Sequence, residues 1–176
     1  MEDLHDMPQQ LYDGKIKKLR EKTQGQLIIK EYPTASAHSG HFKSLINELA
    51  LKKSFRPDVI FIDYLNICAS SRFKGGNISS YFYVKAIAEE LRGLAVESNV
   101  PIFSATQTTR TGFVSTDIGL EDTSESFGLP ATADFMFALI SNEELEALGQ
   151  MKVKQLKNRY NDPSVNRAFI VGVDRS

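Results

Sequence analysis

Cysteine is nearly absent: Cys68 is the single one in 176 residues, which excludes an internal disulfide framework and any Cys-rich metal site. Long apolar runs are absent too, so no stretch matches a membrane-spanning helix. The opening MEDLHDMPQQ has neither the basic start nor the apolar centre of a signal peptide. These three absences point to a cytosolic protein with no membrane partner. A formal net charge of −1 gives no general pull toward nucleic acid, so any DNA binding must rest on local geometry. The sequence also lacks G-x-x-x-x-G-K-[ST]; GKIKKLR has one glycine, and KGGN follows no strand that opens a helix. Without that loop, a phosphate chain has no cradle of backbone N–H groups, no lysine and no Mg²⁺-binding hydroxyl.

What is present is the composition of an ordinary soluble globular chain, 41% hydrophobic and 24% charged, at a length that suits one domain. A polar, Lys-rich helix is expected over about 8–24, and the run LIIKEY at 27–32 reads as a short strand closed by Pro33. Phe42, Leu45, Ile46 and Leu49 recur at helical spacing. The strand VIFIDY follows, then the polar loop SSRFKGGN, then a helix over about 79–98 with Val84, Ile87, Ala88, Leu91, Leu94 and Ala95 on one stripe. PIFSATQ opens the next strand. Residues 108–130 carry neither period and read as a long loop, with room for a short helix. FMFALIS is another apolar strand, EELEALG a short acidic helix, and VKQLKNRY with RAFIVGV a hairpin joined through NDPSVN. Strands expected to be buried on both faces, alternating with helices, predict an α/β fold: a mostly parallel sheet flanked by helices, with an antiparallel edge hairpin.

Chemistry in such sheets gathers at the carboxyl ends of the strands. Asp63 ends one strand directly after Val59, Ile60, Phe61 and Ile62, and Ser104, Thr106 and Gln107 end the next. A carboxylate at the end of a dry run must be paired, hydrogen-bonded or bound to a metal. An acid in that place is what a nucleotide-hydrolysing site uses to hold the water shell of Mg²⁺, although a capped or salt-bridged Asp gives the same local pattern.

The run DVIFIDYLN, the helix ending in AIAEELRGLAVESNVPIF, the strand SATQTTR, the loop EDTSESFGLPATADFM and the segment LKNRYND occur in that order. In order and spacing they resemble the motor domain of DnaB-like hexameric replicative helicases, most closely the branch found in T-even-like phages. The resemblance covers roughly residues 10 to 174. It implies a RecA-like P-loop NTPase core in which residues 1–176 form one partial motor domain. That domain would run from the Walker B acid onward, with the preceding strand–helix unit, and would lack the N-terminal P-loop strand and helix. It implies ATP and Mg²⁺ as cofactors of the complete enzyme and 5′–3′ translocation on single-stranded DNA by a hexameric ring. It also implies primase and a helicase loader as partners, and a bacterial host cytoplasm if the chain is phage-encoded.

Residue by residue, Asp63 matches the Walker B acid and metal-side carboxylate, and Gln107 the glutamine that senses the γ-phosphate. Arg110 matches the family's arginine after that glutamine, the spelling Gln-Leu-Asn-Arg having become Gln107-Thr108-Thr109-Arg110. Ser104 and Arg110 join Asp63 as candidates on the nucleotide side. Lys157 and Arg159 match a Lys-x-Arg pair that reaches the neighbouring subunit's nucleotide. A planar, always-charged guanidinium stabilises a transferring phosphoryl group, and supplying it from a neighbour makes hydrolysis depend on ring closure. For DNA, the resemblance singles out the channel loop with Ser126, Phe127 and Gly128. Asp117, Glu121, Asp122 and Glu125 make that loop acidic, so its backbone N–H groups are the candidates for gripping phosphate. Arg72 and Lys74, after Asp63, are the basic candidates.

With no phosphate-binding loop, the chain is expected to be an inactive piece of a helicase. The alternative is a RecA-like module without a P-loop that docks on a helicase or recombinase and hydrolyses nothing. His38 and His41 stand three apart but lack a third ligand nearby, and read as surface residues near a helix start. Cys68 is expected behind the sheet, and KIKKLREK as a solvated helix face.

Overall fold

A computed structural model of the chain describes residues 7–73, 78–108, 119–120 and 128–174. Two compact units emerge, one of residues 1–31 with 174–176 and one of 32–173. The first holds helix α1, Gln9–Lys22, none of whose residues is buried. Arg20 and Lys22 occupy its last turn, where cations complement the helix dipole, and the Thr23 hydroxyl donates to the Leu19 carbonyl at 2.9 Å. The strand expected at 27–32 does not form. Leu27 and Ile29 are 84% and 83% exposed, and no strand pairs with this stretch among the described residues. Branched side chains favour extended backbone, but a strand exists only where a neighbour takes its hydrogen bonds.

The second unit contains the rest. Helix α2, Ser39–Lys53, opens on a reciprocal histidine cap. The Gly40 amide donates to Nδ1 of His38 at 3.0 Å, and the His38 amide donates to Nδ1 of His41 at 3.2 Å. The histidine pair therefore closes a helix end. Strand β1, Ile60–Ile62, leads through a 3-10 turn, Leu65–Ile67, to helix α3, Ser80–Ser98. The α3 stripe forms as expected: Val84, Ile87, Ala88, Leu91 and Leu94 are buried, and the helix stops at Asn99 in the left-handed region. Leu65, Cys68 and Leu129 complete the main core, with Phe42, Ile62, Tyr83 and Met136 packed against it. Burial raises the pKa of the Cys68 thiol, an inert packing residue as expected.

Strand β2, Ile102–Ser104, lies parallel to β1 with Ile60 opposite Ile102 and Phe61 opposite Phe103. Helix α4, Gly128–Thr132, strand β3, Phe135–Ile140, and helix α5, Glu143–Ala147, follow. Strands β4, Gln150–Asn158, and β5, Ala168–Gly172, form the expected hairpin. Its turn is held by Asn158 Oδ1, which accepts from the amides of Tyr160 and Asn161, and by Asp162 Oδ1, which accepts from Ser164.

Parallel and antiparallel pairing are both present, but they occupy two sheets. One is the parallel pair β1–β2 and the other the antiparallel β3–β4–β5, so the antiparallel part is the larger. The outer edges of β2 and β3 have no strand partner among the described residues. Nor are the strands buried on both faces. Phe61 and Phe103 are 72% and 55% exposed, their rings stacked at 5.3 Å, and Phe135, Phe137 and Leu139 stand exposed on alternate positions of β3. Only the opposite faces, through Ile62 and Met136, meet the α3 core.

Candidate functional site

Asp63 is the residue immediately after β1, and it is exposed. The expectation of a carboxylate in a dry interior is corrected by the open Phe61 face: the run before Asp63 is covered on one side only, so water reaches the acid. Among the described residues Asp63 makes no hydrogen bond or ion pair. The Asp63–Tyr64 peptide is cis.

Around it, the ends of β1 and β2 are laced together. The Ser104 hydroxyl donates to the Ile62 carbonyl at 2.8 Å, and the Leu65 amide to the Ala105 carbonyl at 3.3 Å. The Thr106 hydroxyl donates to Oδ1 of Asn66 at 2.8 Å, and Gln107 Nε2 to the Tyr64 hydroxyl at 3.2 Å. Gln107 is thereby tied to the residue next to Asp63, so the two sequence-predicted residues share one strand-end platform. Ser104 is committed to the Ile62 carbonyl and acts there as a strut. A carboxylate with no partner among the described residues fits Mg²⁺, which keeps several waters and takes one or two carboxylates along with substrate phosphates. No cluster of three or more acid, His or Cys ligands exists among the described residues, so Asp63 would be the chain's own contribution to such a site.

Lys157 and Arg159 come together at the far end of β4, and a bulge puts them there. Phe137 pairs with Gln155 and Met136 with Lys157, which leaves Leu156 as the extra residue. Side chains alternate faces along a strand, so Lys154 and Lys157 would point opposite ways in a regular strand. The extra residue places Lys157 on the face of its partner Met136, and Arg159 on the same side. There the Lys157 ammonium donates to the carbonyls of Pro130, at 2.5 Å, and Ala131, at 3.3 Å, while Arg159 Nη2 donates to Ala131 at 3.0 Å. These are the orphan carbonyls at the C-terminal end of α4, a favourable place for cations. Desolvation lowers the Lys157 pKa, with a further push from Arg159 and a partial offset from Asp134.

Asp134, in the turn between α4 and β3, receives both Arg159 Nε at 2.8 Å and Arg92 Nη2, from α3, at 3.1 Å. Arg72, Arg92 and Arg159 line one open groove of about 650 Å³ with Glu89, Ala131 and Thr132. Arg72 and Arg159, predicted for different tasks, are thus neighbours on one surface. Arg72 is itself paired to Glu89 at 2.5 Å. The loop that carries it is fastened by Glu90, which accepts from the Ser70 hydroxyl, the Ser71 amide and hydroxyl, and the Ser39 hydroxyl. Gly128 is buried as the first residue of α4. A side chain there would press on Tyr81 and Lys85 at 3.1 Å, so close helix packing accounts for the glycine. Lys74, Arg110, Ser126 and Phe127 lie outside the described residues.

Asp134, Arg92, Glu90 and Tyr64 carry much of this geometry, and none was singled out from the sequence. Asp134 lies inside ATADFM, where its position between two apolar elements was the available signal.

No family model matches the chain. A curated relative, the DnaB-like replicative helicase of Enterobacteria phage T4, is 50% identical over 165 residues, covering 93% of this chain and 35% of the relative. The chain therefore spans about a third of that relative's length. Among solved structures, the ATPase domain of G40P superposes with a TM-score of 0.71 at 18% identity, over 95% of this chain and 57% of that one. A DnaB-like replicative helicase, described together with its interactions with primase, superposes with a TM-score of 0.72 at 17% identity, over 97% of this chain and 40% of that one.

Proposed function

Because the chain belongs to the DnaB-like replicative helicases and has their RecA-like α/β fold, we propose that it forms part of an ATP-driven motor that moves 5′–3′ along single-stranded DNA as a hexameric ring. In this reading residues 1–176 are one portion of the motor domain, and they act when continuous with a phosphate-binding loop. By themselves they do not hydrolyse ATP. Primase and a helicase loader are the proposed partners, in the cytoplasm of a bacterial host; no described helix is long and apolar enough to cross a membrane.

The observation that carries the reading is the strand-end platform, where Asp63, without a partner among the described residues, follows β1 and Gln107, anchored to Tyr64, follows β2. Mg²⁺ bound with ATP would neutralise charge on the phosphates. Asp63 holds the metal's water shell, and Gln107 presents its amide from the next strand end. Lys157 and Arg159, at the end of β4, supply cations to a neighbouring subunit's nucleotide. Arg72, with Lys74, Arg110 and the backbone of Ser126, Phe127 and Gly128, lies on segments assigned to the DNA and nucleotide sides of that coupling.

In the complete helicase, Asp63→Asn should leave ring assembly intact and lower DNA-stimulated ATP turnover by at least about 100-fold, the scale of losing one preorganised electrostatic contact. Turnover at the parental rate in intact rings would overturn the assignment.

A further inference from the structure

Two of the three nitrogens of the Arg159 guanidinium are engaged from within its own subunit. Nε is in an ion pair with Oδ1 of Asp134 at 2.8 Å, and one Nη2–H donates to the Ala131 carbonyl at 3.0 Å. The backbone is fixed as well, since the Arg159 amide donates to the Asp134 carbonyl at 2.9 Å. Both Nη1–H groups and the second Nη2–H have no partner among the described residues, and the side chain is 40% exposed. The planar group is therefore clamped along one edge and open along the other. Asp134 is braced in turn, because Arg92 on the long helix α3 donates to the same Oδ1 at 3.1 Å.

We infer that Asp134 is a positioning residue for Arg159, one that orients the guanidinium so that its open edge faces an anion presented by a neighbouring subunit. The inference rests on the reading of Arg159 as acting in trans, and it adds the residue that aims it. A flexible arginine must be ordered at the moment of reaction, whereas one already clamped needs no such ordering, and a misplacement of about 1 Å can cost about 100-fold in rate. Asp134 touches no nucleotide and acts only through Arg159. Arg92 completes the brace from α3, so the orientation of Arg159 is referred to the core of its own subunit.

The test is a mutant cycle in the complete, assembled helicase, with kcat and KM for ATP measured on single-stranded DNA. Asp134→Asn keeps the shape and removes the charge. It should lower kcat about 10- to 100-fold while leaving KM within about two-fold, as for an interaction made only in the transition state. Asp134→Glu keeps the charge one methylene out of place, and should fall between Asp134→Asn and the parent. The double variant Asp134→Asn with Arg159→Ala should turn over at the rate of Arg159→Ala alone, because nothing remains to be positioned. If Asp134→Asn rings fail to assemble, the same cycle is run with Asp134→Glu. Parental kcat in the carboxylate variants, or a double variant that loses the product of the two single losses, would overturn the inference while leaving Arg159 its role. Parental turnover in Arg159→Ala would overturn the trans reading and this inference with it.

Discussion

Asp134 and Arg159 are joined twice, once through the Asp134 carbonyl and the Arg159 amide at 2.9 Å, and once through the Asp134 carboxylate and Arg159 Nε at 2.8 Å. The second contact uses the fork shape of a guanidinium, which meets Asp134 with Nε while Nη2 donates to the Ala131 carbonyl. An ammonium on a flexible stem has no such pair of directed donors. Arg159→Lys should therefore behave almost like Arg159→Ala in the complete helicase, despite keeping the charge. A steady-state ATPase assay checks this, and a lysine variant with near-parental kcat would show that charge alone suffices.

Glu90 gathers four donor groups from Ser39, Ser70 and Ser71, joining the start of α2 and the loop after β1 to α3. Burial tends to raise its pKa, and the hydrogen bonds outweigh that, leaving it below the usual glutamate value. A depressed carboxylate pKa adds stability that is present above the unfolded pKa and lost as pH falls through the folded one. Glu90→Gln should cost about 2 kcal/mol at neutral pH, measured by urea unfolding. The gap to the parent should narrow as pH falls past the unfolded glutamate's pKa and through the lower folded one, where the parent's carboxyl also becomes neutral. A gap that stays constant into acid would mean that shape, and not charge, holds the three serines.

The legible parts of the fold were those with a period or a turn signal. Val84, Ile87, Leu91 and Leu94 fall on one helical face whatever surrounds them, and NDPSVN can hardly be anything but a turn. LIIKEY was misread because its composition reports the preference for extended backbone, while the partner that makes a strand is a property of the whole fold. Burial of VIFI was misread for a related reason: apolar residues are a statement about what could be covered, and Phe61 stays 72% exposed. The site was legible where a strand end delivered a residue, as with Asp63 and Gln107. It was not legible where one unpaired residue, Leu156, reset which face Lys157 and Arg159 occupy. Nor does spacing foretell that Arg92, Asp134 and Arg159, from three separate elements, would meet at one oxygen.

The chain alone should bind ATP too weakly to detect by calorimetry, with or without Mg²⁺, and hydrolyse it no faster than a buffer blank. Asp63 is a single exposed carboxylate, and the sequence has no G-x-x-x-x-G-K-[ST] to supply amide donors to the phosphates. Micromolar, Mg²⁺-dependent binding would show that another phosphate cradle exists in these residues.

Self-association of the isolated chain is expected from its edges. β2 and β3 each end a sheet without a partner among the described residues, and Phe61, Phe103, Phe135 and Phe137 are exposed beside them. Open edges with apolar faces invite pairing between copies. Light scattering should show mass rising with concentration, and Phe103→Lys, which places a charge at the β2 edge, should reduce it. A compact monomer across the whole range would count against an open edge.

The trans role of Arg159 is best tested by mixing subunits of the complete helicase. Arg159→Ala should lower turnover by about three to five orders of magnitude if the arginine acts as a finger, with ATP binding nearly unchanged. Subunits that lack the phosphate-loop lysine but keep Arg159 are then combined with subunits that keep the lysine and carry Arg159→Ala. Each parent ring is inactive. In a mixed ring, some interfaces set an intact phosphate cradle against an intact Arg159, so part of the hydrolysis should return if the arginine serves its neighbour. If it serves its own subunit, neither type contains a complete site and no mixture can build one. Mass measurement shows whether the rings are mixed. Mixed rings without recovered activity would assign Lys157 and Arg159 the role visible within one subunit, closing the C-terminal end of α4 through the carbonyls of Pro130 and Ala131.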